Sequence, residues 1–140
     1  HQDLAFNTAM TGRAPLLDAH RDSLGLASFA PGAGLAEAED LALAAALDLE
    51  QLVRYAGDVN DAVSTWLGDM DVSAVDGVPP ANERVAGIAG IPVDGALSWL
   101  HAMWNGKPVA WFVQWECIGH RHTHVGEMTA LRNRLGFSPF

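Results

Sequence analysis

The fold prediction rests on the stretch Cys117-Ile-Gly-His120-Arg-His-Thr-His124-Val-Gly-Glu127. Steps of four and three residues separate His120, His124 and Glu127, so these side chains share one face of an α-helix. Apolar residues extend the same stripe in both directions, at Val109, Val113, Cys117, Leu131 and Leu135. We therefore expect one long helix from Pro108 to Leu135, whose histidines face a helical core.

The histidine spacing predicts a metal site. Two imidazoles one helical turn apart can bind the same ion without a change in the backbone. We predict that His120 and His124 bind a divalent metal ion, and that Glu127 is a catalytic residue that orients a histidine or moves a proton. The alternative is a buried, hydrogen-bonded pair of histidines without a metal. A third ligand must come from another helix.

Two neighbours of the histidine pair have simpler interpretations. His122 points away from the shared face, so we expect it at the surface. Cys117 lies one turn before His120 and is expected to be a buried core cysteine, because free cysteines are commonly buried.

The rest of the sequence predicts further helices and no strands. Asp48 is a good N-cap for a helix that ends near residues 68–71, and the glycines and prolines of residues 71–92 predict a connection. Shorter helices are expected at residues 3–10, 36–46 and 93–104, and a loop with one turn at residues 12–34. This pattern favours an all-α fold in one domain spanning residues 1–140.

Composition restricts the partners. The chain has 17 acidic and 8 basic residues and a formal net charge of −9, which repels nucleic-acid phosphates and anionic lipids. We expect neither nucleic acid nor a membrane as a partner. The single cysteine excludes an internal disulfide, and no secretory signal opens the chain, so a cytoplasmic protein is expected. Because the first residue is His1 rather than Met, we also expect an N-terminally incomplete domain.

The last helix carries a family resemblance. Gly119-His120-Arg-His-Thr-His124-Val-Gly-Glu127, followed by Leu131-Arg-Asn-Arg-Leu135-Gly136, resembles the last helix of the DinB-like (DinB/YfiT) superfamily of four-helix-bundle metalloproteins. That superfamily includes the mycothiol- and bacillithiol-dependent thiol transferases. Residues 49–71 resemble the preceding family helix. The resemblance implies an up-down four-helix bundle. In one of the two alignment registers described next, the first helix of that bundle is missing from this chain.

The same resemblance implies a third histidine ligand at the end of an earlier helix. The opening His1-Gln-Asp3-Leu-Ala-Phe6 is similar to that region in two registers. In one register, His1 is the third ligand. In the other, Asp3 and Phe6 take the family's acidic and aromatic positions, and the ligand lies just before residue 1. His20 is a weaker substitute.

The implied activity is transfer of a low-molecular-weight thiol, such as mycothiol or bacillithiol, to an electrophilic small molecule. Zinc, nickel and iron are all candidate ions because imidazole suits each of them. Two alternatives stay open. One is a metal-dependent hydrolase that uses bound water, and the other is a non-catalytic helical bundle with structural histidines. A homodimer is compatible with each.

Overall fold

The computed structural model describes residues 1–26 and 37–137, and every regular element in these ranges is helical. The elements are α1 (Leu4–Met10), which is π-helical, α2 (Leu17–His20), α3 (Glu37–Ala46), α4 (Leu49–Asp69), α5 (Ala81–Ile88), α6 (Ser98–Trp104) and α7, with a 3₁₀ turn at Val72–Ala74. Helix α7 runs through three consecutive segments, Val109–Trp111, Phe112–Gly119 and His120–Arg134. The predicted all-α class is confirmed for the described residues. Residues 27–36, which include the end of the predicted loop and the start of the predicted 36–46 helix, lie outside them.

Helix α1 is at the centre of the core. Its Ala5, Phe6 and Ala9 side chains are fully buried and pack against α5 and the middle segment of α7. Trp104 at the end of α6 and Phe112 in α7 are also fully buried in this cluster. Helices α1, α5, α6 and α7 therefore hold the core together. None of the described helices is long and apolar enough to cross a membrane.

Helix α4 begins where its cap predicts. The Asp48 side chain accepts a hydrogen bond of 3.0 Å from the backbone N–H of Gln51, which stabilises the first turn. The helix ends at Asp69, within the predicted range. Of its apolar stripe, only Val59 and Val63 are buried, whereas Val53 is exposed.

The prediction that residues 71–92 form a plain connection is wrong, because this segment contains the core helix α5. Pro80 precedes the first helical residue, Ala81, and Gly90 with its positive φ follows the end of the helix. The turn-forming residues therefore flank a short helical window. Within it, Ala81 and Val85 lie one turn apart and are both buried. In contrast, the helix predicted at residues 93–104 begins only at Ser98, because turns occupy residues 93–97.

Helix α7 is continuous but not uniformly α-helical. Over Phe112–Gly119 its hydrogen bonding is π-helical, which places more residues in each turn than an α-helix does and rotates the residues that follow. Phe112, Glu116 and Cys117 are the buried residues of this segment. Cys117 is buried on the predicted stripe and Glu116 lies on the same face, whereas Phe112 lies to one side of it.

The prediction that His124, Glu127, Leu131 and Leu135 face the core is wrong. These side chains are exposed, as is every residue from 121 to 137. Within the described ranges, the segment His120–Arg134 makes at most slight contact with any other helix, so no helical core covers this stripe. The predicted stop is confirmed, because Gly136 has a φ of +81° and its N–H donates to the Asn133 carbonyl at 3.0 Å.

Candidate metal centre

Glu116 is a fully buried carboxylate on the π-helical segment of α7. Its Oε1 accepts a hydrogen bond of 2.6 Å from the indole N–H of Trp104. Its Oε2 faces two imidazole nitrogens, His120 Nδ1 at 3.4 Å and His1 Nδ1 at 3.5 Å. Both distances exceed the roughly 2.7–2.9 Å of a charge-assisted hydrogen bond. One oxygen of this buried carboxylate therefore lies beside two nitrogen ligands without a short hydrogen bond to either.

The three donor atoms form a compact triangle. His1 Nδ1 and His120 Nδ1 are 2.9 Å apart, which completes the sides of 3.4 and 3.5 Å to Glu116 Oε2. For a tetrahedral ion with bonds of about 2.0–2.2 Å, two ligand atoms are separated by roughly 3.3–3.6 Å. The two sides to Glu116 match this separation, whereas the His1–His120 side is as short as a hydrogen bond and would lengthen by roughly 0.4–0.7 Å around such an ion. His1, Glu116 and His120 are thus a group that can hold a metal ion.

Tryptophan rings position both imidazoles. The His1 ring stacks on Trp104 with centroids 5.4 Å apart and lies 5.8 Å from Trp99. The His120 ring lies parallel to Trp115 at 6.2 Å. The His1 and His120 side chains are only 18% and 24% exposed. This packing restricts the rings, so their nitrogens stay directed at Glu116.

His124 contacts the other side of the His120 ring. The two Nε2 atoms are 3.0 Å apart, and His124 Nδ1 lies 2.8 Å from Glu127 Oε2. The structure therefore brings the four sequence-predicted site residues His1, His120, His124 and Glu127 into one continuous chain of contacts. His124 reaches His120 through Nε2, however, whereas the triangle with Glu116 uses Nδ1 of the same ring.

The other two histidines considered from sequence lie elsewhere. His20 contacts Asp58 Oδ2 at 3.0 Å and packs on the Tyr55 ring, so it does not join the triangle. His122 is exposed, as the sequence predicts.

A cavity of about 400 Å³ opens onto the donor triangle. Its lining combines the metal-ligand candidates with polar and apolar groups, namely His1, Gln2, Glu116, His120, Arg121, His124, Val125 and Met128. A second cleft of about 290 Å³ lies next to His1, between Asp3, Tyr55 and Arg21. All three residues of the donor triangle therefore line the first cavity.

The sequence interpretation missed Glu116 and its partner Trp104. The signal was present, because Glu116 is the only acidic residue between Val109 and Gly119 and lies four residues before His120. An acid in such an apolar run is costly to bury unless it is paired or binds a metal. Cys117 beside it is a buried core residue as predicted, and burial raises the pKa of its thiol to about 12. It is therefore a poor nucleophile at neutral pH.

Comparison with known proteins adds no relative. No protein-family model, curated protein or solved structure matches this chain. The resemblance to the DinB-like superfamily, and with it the four-helix bundle, stays a prediction. Function is therefore inferred from the geometry of the donor triangle.

Proposed function

We propose that this protein binds a divalent metal ion through His1 Nδ1, Glu116 Oε2 and His120 Nδ1, and uses it to transfer a low-molecular-weight thiol to an electrophilic small molecule. The observation that carries the proposal is the donor triangle with sides of 2.9, 3.4 and 3.5 Å. Two of the three ligands, Glu116 and His120, lie on helix α7. The other, His1, comes from the start of the chain.

The donor set fits a catalytic ion better than a structural one. Structural zinc sites usually have four protein ligands, whereas catalytic sites have three and keep one position open. Two imidazoles and one carboxylate also suit nickel and iron(II). All three ligand residues line the adjacent cavity, so a substrate bound there would lie next to the ion.

The proton arrangement around His120 is consistent with metal binding through Nδ1. A ligating Nδ1 carries no proton, so Nε2 carries it and donates to His124 Nε2, 3.0 Å away. His124 then carries its own proton on Nδ1 and donates it to Glu127 Oε2 at 2.8 Å. Histidine ligands commonly donate their second N–H to such a partner, which fixes the ring and increases its basicity. In this proposal His124 and Glu127 position the ligand His120.

The proposed chemistry follows from this environment. A bound divalent ion supplies Lewis acidity that lowers the pKa of a thiol or a water molecule. Gln2 and Arg121 are polar residues of the cavity lining, while Val125 and Met128 are its apolar residues. Such a lining suits a substrate with both polar and apolar parts. The resemblance of the last helix to the DinB-like superfamily supports thiol transfer, with mycothiol or bacillithiol as the thiol.

The metal assignment is tested by elemental analysis of protein purified without a histidine tag, after loading with zinc, nickel or iron(II) in separate samples. We expect a stoichiometric ion in the wild type and a loss of most of it in Glu116→Gln and His120→Ala. His122→Ala is the matched control, because it removes an exposed histidine two residues away and retains the triangle. Near-zero metal in the wild type would contradict the proposal.

The reaction is tested by incubating the metal-loaded protein with mycothiol or bacillithiol and a panel of electrophiles. Thiol consumption that requires the metal and is lost in Glu116→Gln supports thiol transfer. Conversion of an electrophile that needs the metal but no thiol indicates a hydrolase instead. An ion that binds without promoting either reaction favours a structural role.

A further inference from the structure

The second half of α7 carries an apolar stripe that none of the described helices covers. Four side chains form this α7 stripe at steps of four, three and four residues, namely His124, Met128, Leu131 and Leu135. These steps are the spacing of a coiled-coil seam. Met128, Leu131 and Leu135 are 60%, 57% and 73% exposed. A continuous exposed apolar patch of this kind marks an interaction surface.

The charges beside the α7 stripe suit a second copy of the same helix. Glu127 and Arg134 lie two helical turns apart on one flank of the stripe, and both are exposed. In an antiparallel pair related by a two-fold axis, this flank faces the same flank of the other copy. When Met128 of one copy packs against Leu131 of the other, Glu127 of each copy lies beside Arg134 of the other. The pattern is therefore self-complementary, with two ion pairs of opposite charge.

The fold decides the orientation of the two helices. The His120 ring lies 3.4 Å from Glu116, four residues before it, and 3.0 Å from His124, four residues after it, so these positions share one face of α7. At Glu116 this face is fully buried against the rest of the protein, whereas from His124 onward it is exposed. In a parallel pair the buried ends of the two copies would collide. An antiparallel pair places each buried end beyond the exposed end of the other helix.

We propose that this protein forms a two-fold symmetric dimer in which the α7 stripes of two copies pack antiparallel, and that each copy completes the cavity beside the other's donor triangle. Val125 and Met128 line that cavity and lie on or next to the α7 stripe. In the dimer, Leu135 of the second copy lies opposite His124, which also lines the cavity. The second copy thus adds an apolar wall to the site. Dimerisation does not require the metal ion, so it does not rest on the proposed function.

The test is sedimentation velocity of the full chain with a chelator present, from about 1 µM to about 200 µM. A single helix pair is a small interface, below the roughly 1,200 Å² of a standard complex, so we expect a dissociation constant on the order of 10 µM. Leu131→Glu places a charge at the centre of the interface and should weaken dimerisation at least 100-fold. Val53→Glu is the matched control, because Val53 is an apolar residue of α4 that is 65% exposed and lies outside the α7 stripe.

Charge exchange tests the orientation. Glu127→Arg brings like charges together in both symmetry-related pairs and should weaken the dimer about tenfold. In an antiparallel pair, adding Arg134→Glu restores the attraction. In a parallel pair, residue 127 would instead face residue 132 of the other copy, so Arg132→Glu would restore it. We expect restoration by Arg134→Glu alone.

Four results would overturn the proposal. They are a wild-type monomer at every concentration, an unchanged dimer in Leu131→Glu, equal weakening by Val53→Glu, and restoration by Arg132→Glu rather than Arg134→Glu. The first needs no variant. Leu131 and Val53 are exposed in one copy, so both variants should fold, and circular dichroism checks that they do.

Discussion

Among the residues whose burial the structure describes, two carboxylates are buried, Asp3 and Glu116, and their surroundings are opposite. Asp3 is 3% exposed, and its two oxygens accept four short hydrogen bonds. These come from the Asn7 side chain at 2.7 Å, the backbone N–H groups of Leu16 and Leu17 at 3.0 and 2.8 Å, and the Tyr55 hydroxyl at 2.8 Å. Burial and the Asp3 charge raise the pKa of Tyr55 above its usual value, so its hydroxyl remains a donor. Asp3 is therefore fully satisfied by the protein.

Glu116 is equally buried but has one short hydrogen bond, from Trp104. Its second oxygen faces His1 and His120 at distances that suit coordination of a common ion better than hydrogen bonding. Burial of a carboxylate is costly unless its charge is compensated. The comparison indicates that Asp3 stabilises the fold without a metal ion, whereas Glu116 has one oxygen available to bind a cation.

The largest expected effect is the loss of folding stability when Asp3 is replaced. Asp3→Ala leaves the Leu16 and Leu17 N–H groups and the Tyr55 hydroxyl without their acceptor, which should lower the free energy of unfolding by about 3–5 kcal/mol. Urea denaturation in the presence of a chelator measures this change in the free energy of unfolding. Asp18→Ala removes an exposed acid from the neighbouring helix α2 and should change stability by less than about 0.5 kcal/mol. A similarly small loss of stability for Asp3→Ala would show that Asp3 does not stabilise the fold, and the contrast with Glu116 would then be wrong.

Glu116→Gln should show the opposite behaviour. Glutamine retains an oxygen for the Trp104 N–H but loses the charge, so we expect metal affinity to fall by more than about 100-fold. Stability without metal should be unchanged or higher, because a buried charge is removed. Competition with a chromophoric chelator measures the affinity, and urea denaturation measures the stability. Glu83→Gln, at an exposed site, is the control. Loss of metal-free stability without loss of affinity would make Glu116 a structural residue like Asp3.

His124→Ala tests the role of the contacts that run from His120 Nε2 through His124 to Glu127. If His124 positions a ligand rather than binding the ion, its loss should reduce metal affinity by roughly 10- to 100-fold, less than the loss of His120. The same chelator competition compares the two variants, with His122→Ala as the control. An equal loss for His124→Ala and His120→Ala would indicate that both rings ligate the ion.

The smallest expected effect is on Cys117, next to Glu116. Burial, followed by the Glu116 charge, raises the pKa of this thiol to about 12, and alkylation requires the thiolate. Its rate with iodoacetamide should therefore rise about tenfold per pH unit up to that pKa. Glu116→Gln removes the smaller of the two causes, so the rate at a given pH should increase only severalfold. Cys117 is the only cysteine, so total thiol alkylation measures it. A rate independent of pH between 7 and 10 would contradict the raised pKa.

Local signals predicted much of the fold. The Asp48 cap and the Gly136 stop mark real helix ends, because capping depends on residues next to each other in sequence. Helix α5 was missed because its eight residues lie between prolines and glycines, and its helicity depends on burial of Val85 against α1. The π-helical segment of α7 was missed because side-chain periodicity assumes an α-helix.

The candidate site was predicted only in part, because local sequence patterns mark some of its residues and not others. The sequence identified His120 and His124 from an α-helical spacing and His1 from a resemblance. It did not identify Glu116, because the stripe was traced through its apolar residues and histidines, although position 116 lies four residues before His120 and so on the same α-helical face. Contact between His1 and Glu116 joins residues at opposite ends of the chain, and no local pattern encodes such a contact.

The assignment of Glu116 as a metal ligand is tested most directly by anomalous diffraction from crystals of the protein loaded with zinc. We expect one strong peak about 2.0–2.2 Å from His1 Nδ1, Glu116 Oε2 and His120 Nδ1. A peak between the Nε2 atoms of His120 and His124, with Glu116 outside the coordination sphere, would contradict that assignment.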